Sequence, residues 1–210
     1  MDTLGAGTYQ EASHVELPQR GTRALPLRPR PDLAIAQSAV IHADELMLWR
    51  WYRHHDRKGY LTRSELALLV EDLSAHPELW RHLVRHSPDE RHYVRMLLDA
   101  SVEIWLICWC PTQETGFHDH GGSRGAIAVV QGTLSETLPN IGGEHPRALY
   151  RTGDCFSFGA SHIHDVQHAT GDPAASLHAY SPPLGEMSFY ELDNGGTLTR
   201  RPGDSDEELC

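Results

Sequence analysis

From about residue 92 to residue 192 the chain is a series of short segments, each ended by Gly, Pro, Asn or Asp, with no helical stretch between them. VEIWLICWC is a continuous apolar run that suits a buried strand. GAIAVVQG, TLSETLP, ALYRTG, DCFSFG, HDVQHAT, SLHAYSPP and EMSFYEL follow it. Strands this closely spaced, without intervening helices, argue for an all-β sandwich or barrel.

The first part of the chain reads differently. Residues 1–31 are rich in Gly, Pro, Arg and small polar residues, end in ALPLRPRP, and keep no period, so they are expected to form a flexible arm. PDLAIAQSAV, HADELMLWRWYRH and GYLTRSELALLVEDLSAHPELWRHLVRH then carry apolar residues at helical spacing. Within them, Thr62 and Glu65 fit a capping box. Asp89–Arg95 reads as a polar connector. The expected organisation is an arm over 1–31 and a single, mainly β domain over 32–210. That domain divides into a helical layer (32–91), a β-barrel (92–192) and a polar tail (193–210).

A chain of 210 residues with 40% hydrophobic content can bury one good core. Its net charge of −11 argues against a nucleic-acid partner. No apolar run approaches the ~18–20 residues that cross a bilayer. The opening MDTLGAGTYQEASHVELPQRG lacks the basic and apolar regions of a secretory signal, which points to a cytoplasmic protein. The four cysteines show no disulfide spacing and are expected reduced. Few apolar stretches look exposed, which favours a monomer.

Fifteen histidines are the more unusual count. His54, His55, His76, His82 and His86 fall in the charged helical region and read as solvated side chains. FHDHGGSRGAIAVVQG is different: residues i and i+2 of a strand share a face, so His118 and His120 can reach one ion together. An exposed pair would look the same, so a third ligand is needed, and His162 and His164 both offer one. A rival site joins Cys108 and Cys110 to His118 and His120, but the seven-residue gap is wrong for a zinc finger. Ser176, His178 and Tyr180 alternate along SLHAYSPP and would share a face, where they could form a hydrogen-bonded relay or simply meet water.

The spacing resembles the two motifs of the cupins, a jelly-roll class. Gly125 stands where the first motif has Glu, and Gly132 keeps the required distance from it. In Gly153-DCFSF-Gly159-Ala-Ser161-HI-His164-DVQ-His168, residues Gly159, Ser161 and His168 replace the usual Pro, Gly and Asn. That frame selects His164 as the third ligand. Together, HDHGGSRGAIAVVQGTLSET, HIHDVQH and SLHAYSPP resemble the cysteine dioxygenases, from about Tyr93 to Pro183. The resemblance implies a cupin barrel with an N-terminal helical layer and Fe(II) on His118, His120 and His164. It implies that Ser176, His178 and Tyr180 lie beside the metal, that Arg95 of Tyr93-Val-Arg95 holds the substrate carboxylate, and that Tyr93, Ile107 and Trp109 line the pocket. The implied substrates are L-cysteine and O2, and the implied product is cysteine sulfinic acid. Arg95 is what favours cysteine over 3-mercaptopropionate. Animal members carry a cysteine at the Gly125 position, cross-linked to the tyrosine matching Tyr180; glycine cannot form that bond. Dioxygenation of another small thiol, and metal binding without catalysis, are the alternatives.

Overall fold

The structure is a computed structural model and describes residues 43–53, 59–140, 143–193 and 197–201. The expected arm, the stretch 32–42, His54, His55, Cys210 and most of the expected tail lie outside the described residues.

Two helices come first, α1 (Ala43–Tyr52) and α2 (Arg63–Ser74). The capping box starts α2: Glu65 N–H donates to the Thr62 hydroxyl, and the Glu65 carboxylate accepts from Thr62 N–H. Leu66, Leu69, Val70 and Leu73 then form one buried stripe at helical spacing. The helical pattern of HPELWRHLVRH does not continue α2. Pro77 cannot donate a backbone N–H and disfavours helical backbone before it, so the helix ends at Ser74 and two single 3-10 turns follow, Pro77–Leu79 and Arg81–Leu83.

The strands are β1 (Tyr93–Leu98), β2 (Glu103–Trp109), β3 (Phe117–His118), β4 (Arg124–Gln131), β5 (Thr133–Thr137), β6 (Arg147–Arg151), β7 (Cys155–Phe158), β8 (Asp165–His168), β9 (Ala174–Ser181), β10 (Phe189–Leu192) and β11 (Leu198–Arg200). Three sheets form, in the orders β1-β2-β9-β4-β7, β11-β10-β3 and β6-β5-β8, and every pairing is antiparallel. Tyr93–Arg95 therefore belong to a strand rather than to the expected connector, because Tyr93 and Arg95 pair with Ile107 and Trp105 of β2. Strand β11 lies within the stretch expected as a polar tail.

The five-stranded sheet has two unlike faces. Ile104, Leu106 and Cys108 of β2, Ala126 and Ala128 of β4, and Ala175, Leu177 and Ala179 of β9 pack with Leu66, Leu69, Val70 and Leu73 of α2. Small alanines let the helix lie close on the sheet. The opposite face points into the barrel, where Trp105, Ile107, Trp109, Ile127, Val129, Phe158 and Tyr180 form a second cluster with Leu134 and Val166 of the facing sheet. With both faces covered, all seven residues of β2 and all eight of β9 are buried, which accounts for the unbroken apolar run of VEIWLICWC. No helix among the described residues is long and apolar enough to cross a membrane.

Candidate metal centre and cavity

His118 and His164 are brought together by the backbone. His118 N–H donates to the His164 carbonyl at 3.0 Å and His164 N–H to the His118 carbonyl at 3.2 Å, so the two residues form a hydrogen-bonded antiparallel bridge. Such partners point to the same side, and their ring centroids lie 4.8 Å apart. His120 arrives by another route. β3 ends at His118, so His120 sits in the following turn rather than on the strand. Asp119 pins that turn: its carboxylate accepts from Gly121 N–H, Ser188 N–H and the Tyr190 hydroxyl. Gly121, at φ +59°, passes so close to Glu186 that a Cβ would lie 2.5 Å from its carbonyl oxygen, so only glycine fits.

One donor atom from each of His118, His120 and His164 lies within 4.8 Å of the others, and all three residues are buried. Each of two rings has its proton position set. His118 Nδ1–H donates to the Gly116 carbonyl at 3.0 Å, and His164 Nδ1–H to Glu136 Oε1 at 2.8 Å. Both therefore turn an unprotonated Nε2 to the cluster. His120 is 0% exposed, and neither of its ring nitrogens makes a hydrogen bond among the described residues. A buried imidazole left unsatisfied in this way is costly, and a metal ion accepting one nitrogen relieves that cost. Burial pushes the His118 pKa down to about 3 and holds His120 and His164 below the ordinary histidine range, with the neighbouring imidazoles adding to it. Three neutral imidazoles converging on one point fit a divalent cation.

Behind His164 stands a carboxylate for which TLSETLP carried no sequence signal beyond a strand. Burial alone would raise the Glu136 pKa, but hydrogen bonds from His162 and His164 hold it down to about 2. His162 Nε2–H donates to the same Oε1 at 2.8 Å, and its ring stacks on Phe158 at 4.9 Å. His162 thus belongs to a second group, Glu136, His162 and His164, rather than to the three-histidine cluster. Neither group contains Cys108 or Cys110. Cys108 points from β2 toward the helices, away from the barrel interior.

Ser176, His178 and Tyr180 occupy successive inward positions of β9. Trp109 Nε1–H donates to Ser176 Oγ at 2.9 Å, Ser176 Oγ lies 2.7 Å from His178 Nε2, and His178 Nδ1 lies 3.0 Å from the Tyr180 hydroxyl. The indole can only donate, so Ser176 accepts from it. With Ser176 O–H donating a hydrogen bond to His178 Nε2, no donor in the buried row is wasted, and His178 Nδ1–H donates to Tyr180. Burial keeps His178 neutral, as this direction requires. Tyr180 accepts from His178 and lies on the cavity wall.

The cavity is bounded by His118, His164, His178 and Tyr180 on its polar side and by Ile107, Val166, Leu184, Met187 and Phe189 on its apolar side; Thr115 and Arg91 complete it. Of the wall residues implied by resemblance, Ile107 lines it directly, Tyr93 stands opposite Ile107 on β1, and Trp109 acts through Ser176. Arg95 is not on the wall. Its guanidinium lies over Trp105, 5.5 Å from the ring centroid, with Nη1 3.6 Å from Glu103 Oε1. Arg91 is the wall arginine, and it lies in the stretch whose sequence reads as a polar connector. The alternation Arg91-His92-Tyr93-Val94-Arg95 was the available signal, since it places Arg91, Tyr93 and Arg95 on one face.

Gly125 pairs with both Phe158 and Tyr180, and a Cβ there would lie 2.2 Å from the Phe158 ring. The ring fills that space and packs on His120 at 4.5 Å. Glycine at this position is thus a packing requirement.

Among curated proteins, the chain is similar to Cysteine dioxygenase type 1 of Danio rerio, at 28% identity over 63% of this chain and 71% of that protein. It is similar to Cysteine dioxygenase type 1 of Homo sapiens at 26% identity over the same shares. A solved structure from Klebsiella pneumoniae, described as an uncharacterized conserved protein with a double-stranded beta-helix domain, aligns at 17% identity. It covers 52% of this chain and 86% of that one, with a TM-score of 0.46. The family model described as Cysteine dioxygenase type I matches residues 54–192, a span holding every strand but β11 and the whole histidine cluster. A match of that extent places the chain in the cysteine dioxygenase type I family.

Proposed function

We propose that the chain is a non-haem Fe(II) dioxygenase that adds both atoms of O2 to the thiol of L-cysteine, giving cysteine sulfinic acid. The observation that carries this reading is the convergence of three neutral imidazoles, with no carboxylate among them, beside the Ser176–His178–Tyr180 row. Iron bound by His118, His120 and His164 would supply open positions for a thiolate and O2, and the electron exchange between them. The protein's own work is positional. Tyr180 offers its O–H toward the bound substrate from an orientation set by His178 and Ser176. Ile107, Val166, Leu184, Met187 and Phe189 keep the cavity apolar, which limits water around the reacting sulfur. A substrate carboxylate meets positive charge from the β1 side, where Arg95 lies toward the Tyr180 end of the row and Arg91 toward the Ser176 end. We place this activity in a cytoplasmic monomer.

A second reading, oxidation of another small thiol such as 3-mercaptopropionate, is favoured by one observation: Arg95 faces Glu103 rather than the cavity. Anaerobic Fe(II) loading followed by O2 uptake with both thiols tests the two together, with the product weighed by mass spectrometry. A gain of two oxygen atoms on cysteine, preferred over its analogue, is the expected result. Uptake with the analogue alone selects the second reading, and iron-replete protein that consumes no O2 with either thiol overturns both in favour of a binding role.

A further inference from the structure

We propose that His162, the histidine left out of the three-histidine cluster, is a positioning residue that moderates the pull of Glu136 on His164 and so favours the ferrous form of iron bound there. This rests on the iron centre of the proposed function and adds to it the side chain that sets the metal's redox balance.

Glu136 carries more donors than one ligand needs. Its Oε1 accepts from His164 Nδ1–H and from His162 Nε2–H, each at 2.8 Å, and its Oε2 accepts from the Tyr150 hydroxyl at 3.2 Å. A carboxylate only accepts, so both imidazoles donate. A ligating histidine whose far N–H meets a carboxylate becomes a stronger electron donor to its metal. The three-histidine cluster contains no carboxylate, and Glu136 brings a negative charge to within one hydrogen bond of it. Donors that share one carboxylate each draw on its electron density, so His162 and Tyr150 lead part of that charge away from His164.

The surroundings hold His162 in this place. Its backbone N–H donates to the Gly159 carbonyl at 3.1 Å, which fixes the turn before β8. Its ring lies nearly parallel to Phe158, at 14° with centroids 4.9 Å apart, and Phe158 packs in turn on His120 at 4.5 Å. To reach the metal itself, His162 would have to give up both the stack and Glu136.

The test uses full-length protein loaded anaerobically with Fe(II), without thiol, and reads Fe(II) affinity and the Fe(III)/Fe(II) midpoint potential. The His162 side chain is 23% exposed, so alanine would let water donate in its place. Phenylalanine keeps the stacked ring and removes the donor. A stronger His164 donor favours ferric over ferrous iron and lowers the potential. His162→Phe is therefore expected to keep Fe(II) and to lower the potential by up to about tenfold in the ferric-to-ferrous affinity ratio, which is ~59 mV for one electron. Tyr150→Phe should lower it less, because its bond is the longer one. His162→Gln retains an N–H donor and should return the potential toward the wild-type value. Glu136→Gln should move it the opposite way, upward, with Fe(II) affinity reduced by about 10–100-fold. Loosened packing gives no reason for opposite signs on the two sides of one hydrogen bond.

A potential that rises or stays unchanged in His162→Phe overturns the assignment, even if Glu136→Gln does not hold iron. Loss of Fe(II) from His162→Phe overturns it as well. The expected shifts in a protein that consumes no O2 with any thiol would strike the dioxygenase reading and leave His162 assigned. A wild type that does not retain Fe(II) would overturn both.

Discussion

The two faces of the five-stranded sheet share strands and differ in what holds them together. On the helix side, Ala175, Leu177 and Ala179 of β9 meet the leucines of α2, and shape is all that matters. On the barrel side, Ser176, His178 and Tyr180 of the same strand are as deeply buried, yet each makes a directional bond to the next. Burial alone does not separate scaffold from site; satisfaction of polar atoms does. The helix face is tolerant in identity and costly in volume. The barrel face is tolerant of neither, and His120, with both ring nitrogens unsatisfied among the described residues, marks where a metal ion fits.

The comparison is broken most severely from the barrel side. His164→Ala should lower metal affinity by well over ~100-fold, since the partners behind a ligand are by themselves worth about 10–100-fold. His162→Ala should leave metal bound, because Glu136 keeps its bond to His164. Metal content after dialysis against a chelator reads both, and loss of metal in His162→Ala would exchange the two histidines' roles. From the helix side, Leu66→Ala should cost about 2–5 kcal/mol of stability, the range for a fully buried leucine, while the folded variant binds metal as before. A parallel fall in metal affinity would show that the two faces are not energetically separate.

The smallest effect distinguishes the faces by pH. In metal-free protein, folded His118 stays neutral down to about 3, whereas the unfolded chain takes up that proton near 6.5. The unfolded state therefore binds more protons between those values, so stability is full above 6.5 and declines as pH falls below it. One such group contributes at most about 1.4 kcal/mol per pH unit. Urea melts at successive pH values should show the decline, with a shallower slope in His118→Gln and an unchanged slope in Leu66→Ala.

The alternation of SLHAYSPP was enough to place Ser176, His178 and Tyr180 on one face, and the capping box at Thr62 and Glu65 announced the start of α2. What misled was local as well. HPELWRHLVRH keeps helical spacing past a proline that stops the helix, and Asp89–Arg95 is polar enough to hide the start of β1, whose apolar residues are mostly in its second half. His120 shows the limit from the other direction: its spacing from His118 suggested a shared strand, but a turn pinned by Asp119 is what aims it.

By itself the sequence determined the barrel, the two-faced strands and the set of histidines from which a metal site could be drawn, because side-chain alternation along a strand is a local property. Tertiary structure alone decided that His164 bridges His118 while His162 turns to Glu136, that Phe158 occupies the space above Gly125, and that Arg91 enters the cavity while Arg95 stays with Glu103. Each of those outcomes depends on which strands lie opposite one another and in what register. Glu136 and His164, 28 residues apart in the chain, meet only because β5 pairs with β8. A partner at that distance leaves no mark on the period of either strand.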